Sequence, residues 1–397
     1  MRLILIADSF PPHINSAAVQ LSDLASEFIR QGYEITVVIP SPGQKSPWTL
    51  EVHNGVRILR FKSGPIKSKN YIRRTLAEIF MPFWMARNLK KSPLAKCVWN
   101  GIIWYSPSIF HGPFVSKIKK KHKCKTYLII RDIFPNWALE MGLMNRSPIY
   151  YFFKAVACYQ YSVANVIGVE SPGNLIYFRN WKQYGKKKIE VLHNWLGKPG
   201  NKPSSIQIQN SVLSGRKIFI YAGNMGSAQN LDIFINLAEN LKQRDNLGFL
   251  FVGNGSESHR LQASVRSRCL NNVLFHDFVH PDQIPNLYSQ CYAGLLSLDP
   301  RISSHNIPGK FLSYVQNGLP VLANLNKGND LTNTIVNEKI GYVCETNNVN
   351  ELSYLLEKLI KFKESNKNQL IDCCKNVFIK YFTVEKAVKQ IASNFNE

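Results

Sequence analysis

The sequence has few acidic residues and no long run of apolar residues free of polar ones. Its 397 residues include 49 Lys and Arg but only 26 Asp and Glu, which gives a formal charge of +23. Charged residues make up 19% of the chain and apolar residues 45%, so the composition excludes a charge-rich disordered protein. The length excludes a single small binding module, and we expect two domains.

The eight cysteines form no Cys-x-x-Cys pair, and Cys373 directly precedes Cys374. This spacing predicts neither a structural zinc site nor a disulfide framework, and it is typical of a reducing, cytoplasmic compartment. The apolar run at residues 2–7 is far shorter than the core of a signal peptide, and we predict a buried strand there. The stretch Ile149–Val169 resembles a membrane span, but polar residues such as Lys154 interrupt it. We predict a buried helix that runs into a strand.

Two catalytic signatures are also missing. No Gly-x-Gly-x-x-Gly follows the first predicted strand, which disfavours a dinucleotide-binding dehydrogenase. No Asp-x-Asp motif occurs, so we predict turnover without a metal ion or any other cofactor. The first turn instead brings Ser16, Ala17 and Ala18 to the start of a helix, whose free N–H groups favour anions or sugar hydroxyls. Ordinary packing of a strand-to-helix turn explains the same small residues.

The positive charge is concentrated in the first half of the chain. Residues 1–200 hold 29 Lys and Arg against 10 Asp and Glu, whereas residues 201–397 hold 20 against 16. Arg73, Arg74, Lys90 and Lys91 bracket an apolar segment around Phe80–Met85, a pattern that predicts contact with an anionic membrane surface. A solvated basic face is the ordinary alternative. Nucleic acid would also attract this charge, but no nucleic-acid motif is present and we predict no such partner.

Short apolar runs rich in β-branched residues alternate with segments of helical period along the whole chain. This alternation predicts βαβ units, and hence two doubly wound parallel sheets of Rossmann type. We expect a first domain at 1–196, a linker rich in Gly, Pro, Ser and Asn at 197–216, and a second domain at 217–382. A last helical segment, 383–397, is expected to pack back onto the first domain.

The second domain has two glycine-bearing turns after predicted strands. The first, YAGNMGS, contains Gly223, Asn224 and Gly226, and the second, FVGNGS, contains Gly253 and Gly255. Backbone amides in such turns could face a diphosphate, although ordinary loops also carry paired glycines.

A third segment, PGKFLSYVQNGLPV, predicts a helix with Lys310 in its first turn. A lysine at this position opposes the helix dipole, so a bound anion would explain it better than solvent would. A solvated surface lysine remains the ordinary alternative. Open α/β sheets bind ligands at the carboxyl ends of their strands, and all three segments lie there.

These three segments, in this order and spacing, resemble family 4 of the retaining glycosyltransferases. The segments SAAVQLSDLASEFIRQGYEITVVIP, RDIFPNWALEMGL, VESPGN and VLHNW resemble its bacterial O-antigen and capsule subgroup, close to the N-acetyl-L-fucosamine transferases. The resemblance implies a GT-B fold, with two Rossmann-like domains facing a cleft. It also implies a UDP-sugar donor on the second domain and a polyprenyl-diphosphate-linked saccharide acceptor on the first. Such an enzyme of lipopolysaccharide synthesis would work at the inner face of the plasma membrane.

The chain departs from that family at several site positions. The family's Glu-x7-Glu pair falls on His305 and Ser313, so Ser313 would make a weaker contact with the donor ribose. The family's Arg and Lys after the first glycine turn are missing, since Gln229 and Asn230 occupy that region. Ser16 and Ala17 stand where the family has the Gly-Gly of its N-terminal loop. The resemblance therefore implies that Lys310 carries more of the diphosphate charge.

Two polar sites in the first domain bear on the chemistry. The resemblance places His111 near a histidine that contacts the donor sugar, although a packed loop histidine fits the sequence equally well. Asp132 follows a predicted strand, where it could orient an acceptor hydroxyl or act as a base, unless it forms a structural pair with Arg131.

Other functions fit the same architecture. A nonhydrolysing UDP-sugar epimerase needs no acceptor, a two-domain binding protein performs no transfer, and a silent homologue could serve as an assembly partner. Dependence of turnover on an acceptor separates a transferase from the epimerase, and donor hydrolysis or transfer by the purified protein separates an active enzyme from a silent homologue.

Overall fold

The computed structural model describes residues 1–13, 15–66, 70–181, 185–302 and 305–396. The chain forms two compact units. The first unit comprises Met1–Gly197 and Val384–Glu397, and the second comprises Lys198–Thr383. The segment expected to be a linker belongs to the second unit from residue 198 onward, and it buries Ile206, Ile208 and Leu213 there.

The strands are numbered in chain order. They are β1 Arg2–Ile6, β2 Glu34–Pro42, β3 Trp48–His53, β4 Val56–Ser63, β5 Gly101–Ser106, β6 Lys125–Ile130, β7 Val166–Val169, β8 Lys188–Val191, β9 Lys217–Ala222, β10 Leu247–Val252, β11 Val273–His276, β12 Ala293–Ser297, β13 Val321–Asn324 and β14 Gly341–Cys344.

The helices follow the same order. They are α1 Ser16–Arg30, α2 Tyr71–Lys91, α3 Gly112–His122, α4 Asn136–Glu140, α5 Pro148–Val163, α6 Asp232–Asn240, α7 Ser258–Ser267, α8 Ile284–Ser289, α9 Gly309–Gln316, α10 Asp330–Asn337, α11 Val349–Ser365, α12 Lys367–Tyr381 and α13 Val384–Asn396.

Each unit contains one predominantly parallel sheet. The first sheet has the order β3-β4-β2-β1-β5-β6-β7-β8, and the second has the order β11-β10-β9-β12-β13-β14. Strands such as β5 and β10 are buried along their whole length, as strands covered by helices on both faces must be. The predicted fold class of two doubly wound α/β domains is therefore confirmed.

The first sheet ends in a hairpin that the sequence analysis missed. Strand β3 pairs antiparallel with β4, and the turn between them places Asn54 and Gly55 at φ values of 49° and 80°. Asn-Gly is the strongest short signal for such a turn, because both residues tolerate positive φ. The strand itself gave no apolar signal, since five of its six residues are exposed.

Helix α13 completes the core of the first unit. Its Val388 and Ile391 are fully buried with residues of β1 and α1, and Phe395 packs over the start of β5. A Cβ on Gly101 would lie 2.7 Å from the Phe395 ring, so only glycine fits beneath that side chain.

The expectation that residues 149–163 form a buried helix is wrong. Helix α5 buries Tyr150, Ala157 and Tyr161 but exposes Ile149 and Phe152, by 63% and 45%. Beyond it, β7 is buried as expected. Across the described ranges, no helix is both long and apolar enough to span a membrane.

Candidate active site

The two glycine-bearing turns of the second unit pack directly against each other. Gly223, after β9, has φ +145°, and Gly253, after β10, has φ +126°. A Cβ on Gly253 would lie 2.2 Å from the Gly223 carbonyl oxygen, and one on Gly255 would lie 2.3 Å from the Met225 carbonyl oxygen. Close contact between these loops therefore requires glycine at 253 and 255, whether or not a ligand binds.

The amides of these turns are already used within the protein. The Gly223 N–H donates to the Val252 carbonyl at 2.9 Å, and the Gly253 N–H donates to the His276 carbonyl at 3.0 Å. The Gly226 N–H donates to the Gln229 side chain at 3.0 Å. The neighbouring strand and turn therefore already supply acceptors for these three amides, and a diphosphate site on the two turns stays a prediction.

Lys310 packs against Gly223 of the turn that follows β9. It is the second residue of α9, and its Nζ lies 4.6 Å from the centre of the Tyr221 ring. A Cβ on Gly223 would lie 3.1 Å from the Lys310 Cε, so the missing side chain of Gly223 makes space for this lysine. Burial lowers the pKa of Lys310 to about 8. The side chain is thus a desolvated cation beside an aromatic face, at the positive end of a helix.

The neighbouring family positions are occupied by polar groups. Ser313, one turn further along α9 than Lys310, hydrogen-bonds Tyr288. His305 accepts a hydrogen bond from the Asp330 amide at 3.1 Å, and the Asp330 carboxylate lies 3.3 Å from the same ring nitrogen. A carboxylate is therefore present beside position 305, supplied by α10.

A network of side-chain amides at the ends of β12 and β13 escaped the sequence analysis. Asn230 and Asn324 both donate to the Asn347 side-chain oxygen, at 2.9 and 3.0 Å. The buried Asn324 Oδ1 has no hydrogen-bond partner within the described part of the chain. Polar residues that end buried strands, here Ser297 and Asn324, were the available signal.

His111 of the first unit is fully buried and is bound to a residue that the sequence analysis did not select. Its Nε2 lies 2.8 Å from an Asp8 carboxylate oxygen, and Asp8 follows β1 while His111 precedes α3. The other ring nitrogen, Nδ1, has no partner among the described residues. Glu78 of α2 lies near both side chains. Burial raises the pKa of Glu78, Arg74 opposes the rise and Asp8 adds to it.

Ser16 and Ala17 begin α1 as expected. The helix is capped by Asn15, whose side-chain oxygen accepts the Ala18 N–H at 2.9 Å. Ser16 itself is exposed. The Ala18 amide therefore already has an acceptor within the protein.

Asp132 is the second residue after β6, and burial raises its pKa, against a smaller opposing effect of Arg131. Arg131 instead donates to the Leu192 carbonyl at 2.7 Å and stacks over Trp195 at 4.8 Å. These contacts, rather than a structural pair with Asp132, therefore hold Arg131 in place. Within the described ranges, no three His, Cys, Asp or Glu side chains are grouped to hold a metal ion.

The basic clusters of the first half differ in what they contact. Lys119 and Lys187 donate to carbonyls at the end of α5, at 2.8 Å from Val163 and Ala164 respectively, and burial lowers the pKa of both lysines. These two lysines cap a helix and are not a lipid surface. In contrast, Arg73, Arg74, Lys90 and Lys91 are all exposed on α2, and Arg74 pairs with Glu78 at 2.9 Å.

Comparison with known proteins identifies the second unit. Residues 203–371 match the family described as glycosyl transferases group 1. Over 383 residues the chain is 21% identical to WcaI of Escherichia coli K12, described as a colanic acid biosynthesis glycosyl transferase, covering 87% of this chain and 86% of WcaI.

Solved structures share the fold. Sucrose-phosphate synthase of Thermosynechococcus elongatus matches with a TM-score of 0.78 at 13% identity, over 100% of this chain and 98% of the synthase. The Anabaena protein HepE, solved in complex with UDP, matches with a TM-score of 0.69 at 13% identity, over 100% of both chains. Residues 203–371 thus match the glycosyl transferases group 1 family, and the chain is a glycosyltransferase of GT-B fold.

Proposed function

We propose that the enzyme transfers an N-acetylated deoxyhexosamine, N-acetyl-L-fucosamine, from UDP to a saccharide carried on polyprenyl diphosphate. The observation that carries the donor assignment is Lys310, a partly buried cation packed beside Gly223 and Tyr221. A diphosphate would neutralise this cation. HepE was solved in complex with UDP, and WcaI is described as a colanic acid biosynthesis glycosyl transferase, so both relatives support the proposal.

In the proposed reaction, the acceptor hydroxyl oxygen forms a bond to the anomeric carbon of the sugar and gives up its proton. The bond between that carbon and the β-phosphate oxygen breaks, and negative charge grows on the departing UDP. Lys310 and the N-terminal end of α9 favour that charge. Since the Gly223, Gly226 and Gly253 amides are bound within the protein, the lysine supplies most of the stabilisation. Removing such a group typically costs about 10²-fold in turnover.

The first unit supplies the acceptor side of the proposal. We assign His111, which Asp8 orients, and Ser16 and Ala17 of the first turn to contacts with the donor sugar. Asp132 stands at the carboxyl end of β6, and its raised pKa makes its carboxylate a better proton acceptor. We assign Asp132 the orientation and deprotonation of the acceptor hydroxyl.

Exposed helix α2 supports a membrane-bound acceptor. Basic residues stand at both ends of this helix, and the exposed apolar side chains of Phe80, Phe83 and Trp84 lie between them. Such a helix lies in the plane of an anionic membrane surface, with each basic residue contributing about 1 kcal/mol. The chain would therefore act as a peripheral membrane enzyme at the cytoplasmic face.

A donor and acceptor panel tests the function. Purified enzyme is given several UDP-sugars with polyprenyl-diphosphate-linked N-acetylglucosamine, and products are followed by mass spectrometry. We expect the mass of one added N-acetyldeoxyhexosamine with the wild type, and about 10²-fold less product with Lys310→Ala. Conversion of a UDP-sugar without acceptor would support the epimerase instead. No product with any donor would support the silent homologue.

Vesicle sedimentation tests the membrane surface. The wild type should sediment with anionic but not zwitterionic vesicles at low salt, because the attraction is screened within a Debye length. A fourfold variant, Arg73→Glu, Arg74→Glu, Lys90→Glu and Lys91→Glu, should stay in the supernatant. A matched variant makes the same number of charge reversals on exposed lysines of the second unit, at Lys242, Lys327, Lys361 and Lys367. Equal loss in both variants would indicate that net charge alone governs binding.

A further inference from the structure

The first unit contains an apolar pocket between helices α2 and α5. It has a volume of about 360 Å³, within the range of small-molecule sites. Ile79 and Pro82 of α2 form one wall, and Phe152 and Val156 of α5 form the opposite one. Every lining residue is apolar or aromatic, so the pocket suits a hydrocarbon rather than a sugar or a nucleotide.

The surface around this pocket is also apolar. Phe80 and Phe83 of α2 are exposed by 56% and 61%, and Ile149 and Tyr159 of α5 by 63% and 45%. Single exposed apolar residues are ordinary on a protein surface, but two adjoining helices that expose several each form a contiguous patch. Such a patch indicates a surface that binds an apolar partner.

The charges around the pocket favour an anionic lipid over a second copy of the chain. Helices α2 and α5 together carry six basic residues and one acidic residue, Glu78. Two copies meeting on this face would bring like charges together. An anionic lipid brings the opposite charge and a hydrocarbon chain in one molecule.

The position of the pocket indicates which lipid it holds. Phe110 and Pro113 line its base, and His111, the buried partner of Asp8, lies between them in the chain. Gly112 lets α5 pack closely here, since a Cβ on it would lie 3.1 Å from the Gln160 backbone. A chain seated in the pocket therefore ends beside the residues assigned to sugar transfer.

We propose that this pocket holds the diphosphate-proximal isoprene units of the acceptor's polyprenyl chain. The inference rests on the proposed function, and it adds that the enzyme reads the lipid part of its acceptor. Burying one CH₂ group favours binding by about fourfold, so one isoprene unit of several carbons should change acceptor affinity by more than tenfold.

The test compares two acceptors that differ only in the lipid. One is N-acetylglucosamine diphosphate linked to a polyprenyl chain, and the other carries a methyl group in its place. In the wild type, we expect a KM at least tenfold lower for the prenylated acceptor. Ala155→Trp fills the pocket from α5 and should abolish that advantage without raising the KM for the methyl acceptor.

Two further variants keep the test falsifiable. Ala263→Trp makes the same change at an exposed position of α7 in the second unit and should leave both KM values unaltered. Ala155→Val fills the pocket only in part and should reduce the advantage of the prenylated acceptor by an intermediate amount. This variant replaces Ala155→Trp in the test if the tryptophan variant fails to fold. Equal KM values for the two acceptors in the wild type would overturn the inference and leave the transferase intact.

A binding measurement separates this inference from the proposed function. Farnesyl diphosphate should raise the temperature of thermal unfolding of the wild type but not of Ala155→Trp. If this shift is seen and no sugar is transferred, the pocket assignment holds and the proposed reaction is wrong. If no shift is seen and light scattering shows dimers that Ala155→Trp dissociates, the surface binds a second copy and the inference is wrong.

Discussion

The pH dependence of UDP binding gives the sharpest test of Lys310. Burial lowers the pKa of this lysine to about 8 from an ordinary value of 10.5. A bound diphosphate would offset the effect of burial, because its negative charge favours the ammonium form and raises the pKa of Lys310 again. UDP should therefore bind the protonated form, and its affinity should fall as the pH rises through 8.

The size of the effect follows from the pKa of the free protein. At pH 7 about nine in ten Lys310 side chains are protonated, whereas at pH 9 about one in ten is. The affinity for UDP should thus fall about tenfold between pH 7 and pH 9. Isothermal titration calorimetry over this range measures the fall directly.

Two variants separate the lysine from the titration of UDP itself. Lys310→Arg keeps a charge at every pH used, so its affinity should vary with pH only as the ligand does. Lys310→Met removes the buried cation, and it should stabilise the free protein by about 2–3 kcal/mol at pH 7 while weakening UDP binding. An affinity of the wild type that runs parallel to that of Lys310→Arg from pH 7 to pH 9 would refute the reasoning.

Three further predictions concern stability. Gly253→Ala should lower the midpoint of thermal unfolding, because its Cβ would lie 2.2 Å from the Gly223 carbonyl oxygen. Gly215→Ala is the control, since it also places alanine at a positive φ, +76°, but no atom lies within 4 Å of its Cβ. Asp23→Asn should stabilise the protein by about 2–3 kcal/mol at pH 7.5 but not at pH 4. Burial raises the pKa of Asp23 to about 6, so the folded protein holds a proton there that the unfolded chain has released. As the pH rises from about 4 to 6, the folded wild type becomes less stable, whereas an asparagine does not titrate. Denaturant titrations at both pH values measure the difference, and an equal effect at pH 4 and 7.5 would contradict it. Finally, millimolar UDP should raise the unfolding temperature of the wild type more than that of Lys310→Ala, as calorimetry would show, because a ligand that binds only the native state stabilises it.

Much of the fold could be predicted from the sequence because a parallel strand that is buried on both faces is a short run of apolar residues. Strands β10 and β12 are buried along their whole length, and each is a short apolar run of the kind that predicts a buried strand. Strand β3 lies at a sheet edge and exposes almost all of its side chains, so no apolar pattern marks it. The apolar pattern of α5 predicted burial, but it could not show that Ile149 and Phe152 are exposed.

The candidate sites were only partly predictable for a related reason. The glycine turns were found from local spacing, but the acceptors of the Gly223 and Gly253 amides come from the neighbouring strand and turn. Asp8 and His111 are 103 residues apart, and neither residue alone predicts the other. Lys310 was selected because its conflict with the helix dipole is visible in the sequence, whereas the pocket between α2 and α5 arises only when three separate segments meet.

Helix α13 has a consequence for how the protein is made. The first unit begins at Met1, yet its core includes Val388 and Ile391, and Phe395 fills the space above Gly101. Domains generally fold in the order of their synthesis, N-terminal first. Here the second unit is continuous in the chain and is synthesised in full before α13, so it can fold completely while the first unit still lacks a helix. The unit proposed to bind the acceptor therefore becomes complete only after the second unit has been synthesised, and the synthesis of α13, rather than that of its own first 197 residues, sets when its core can close.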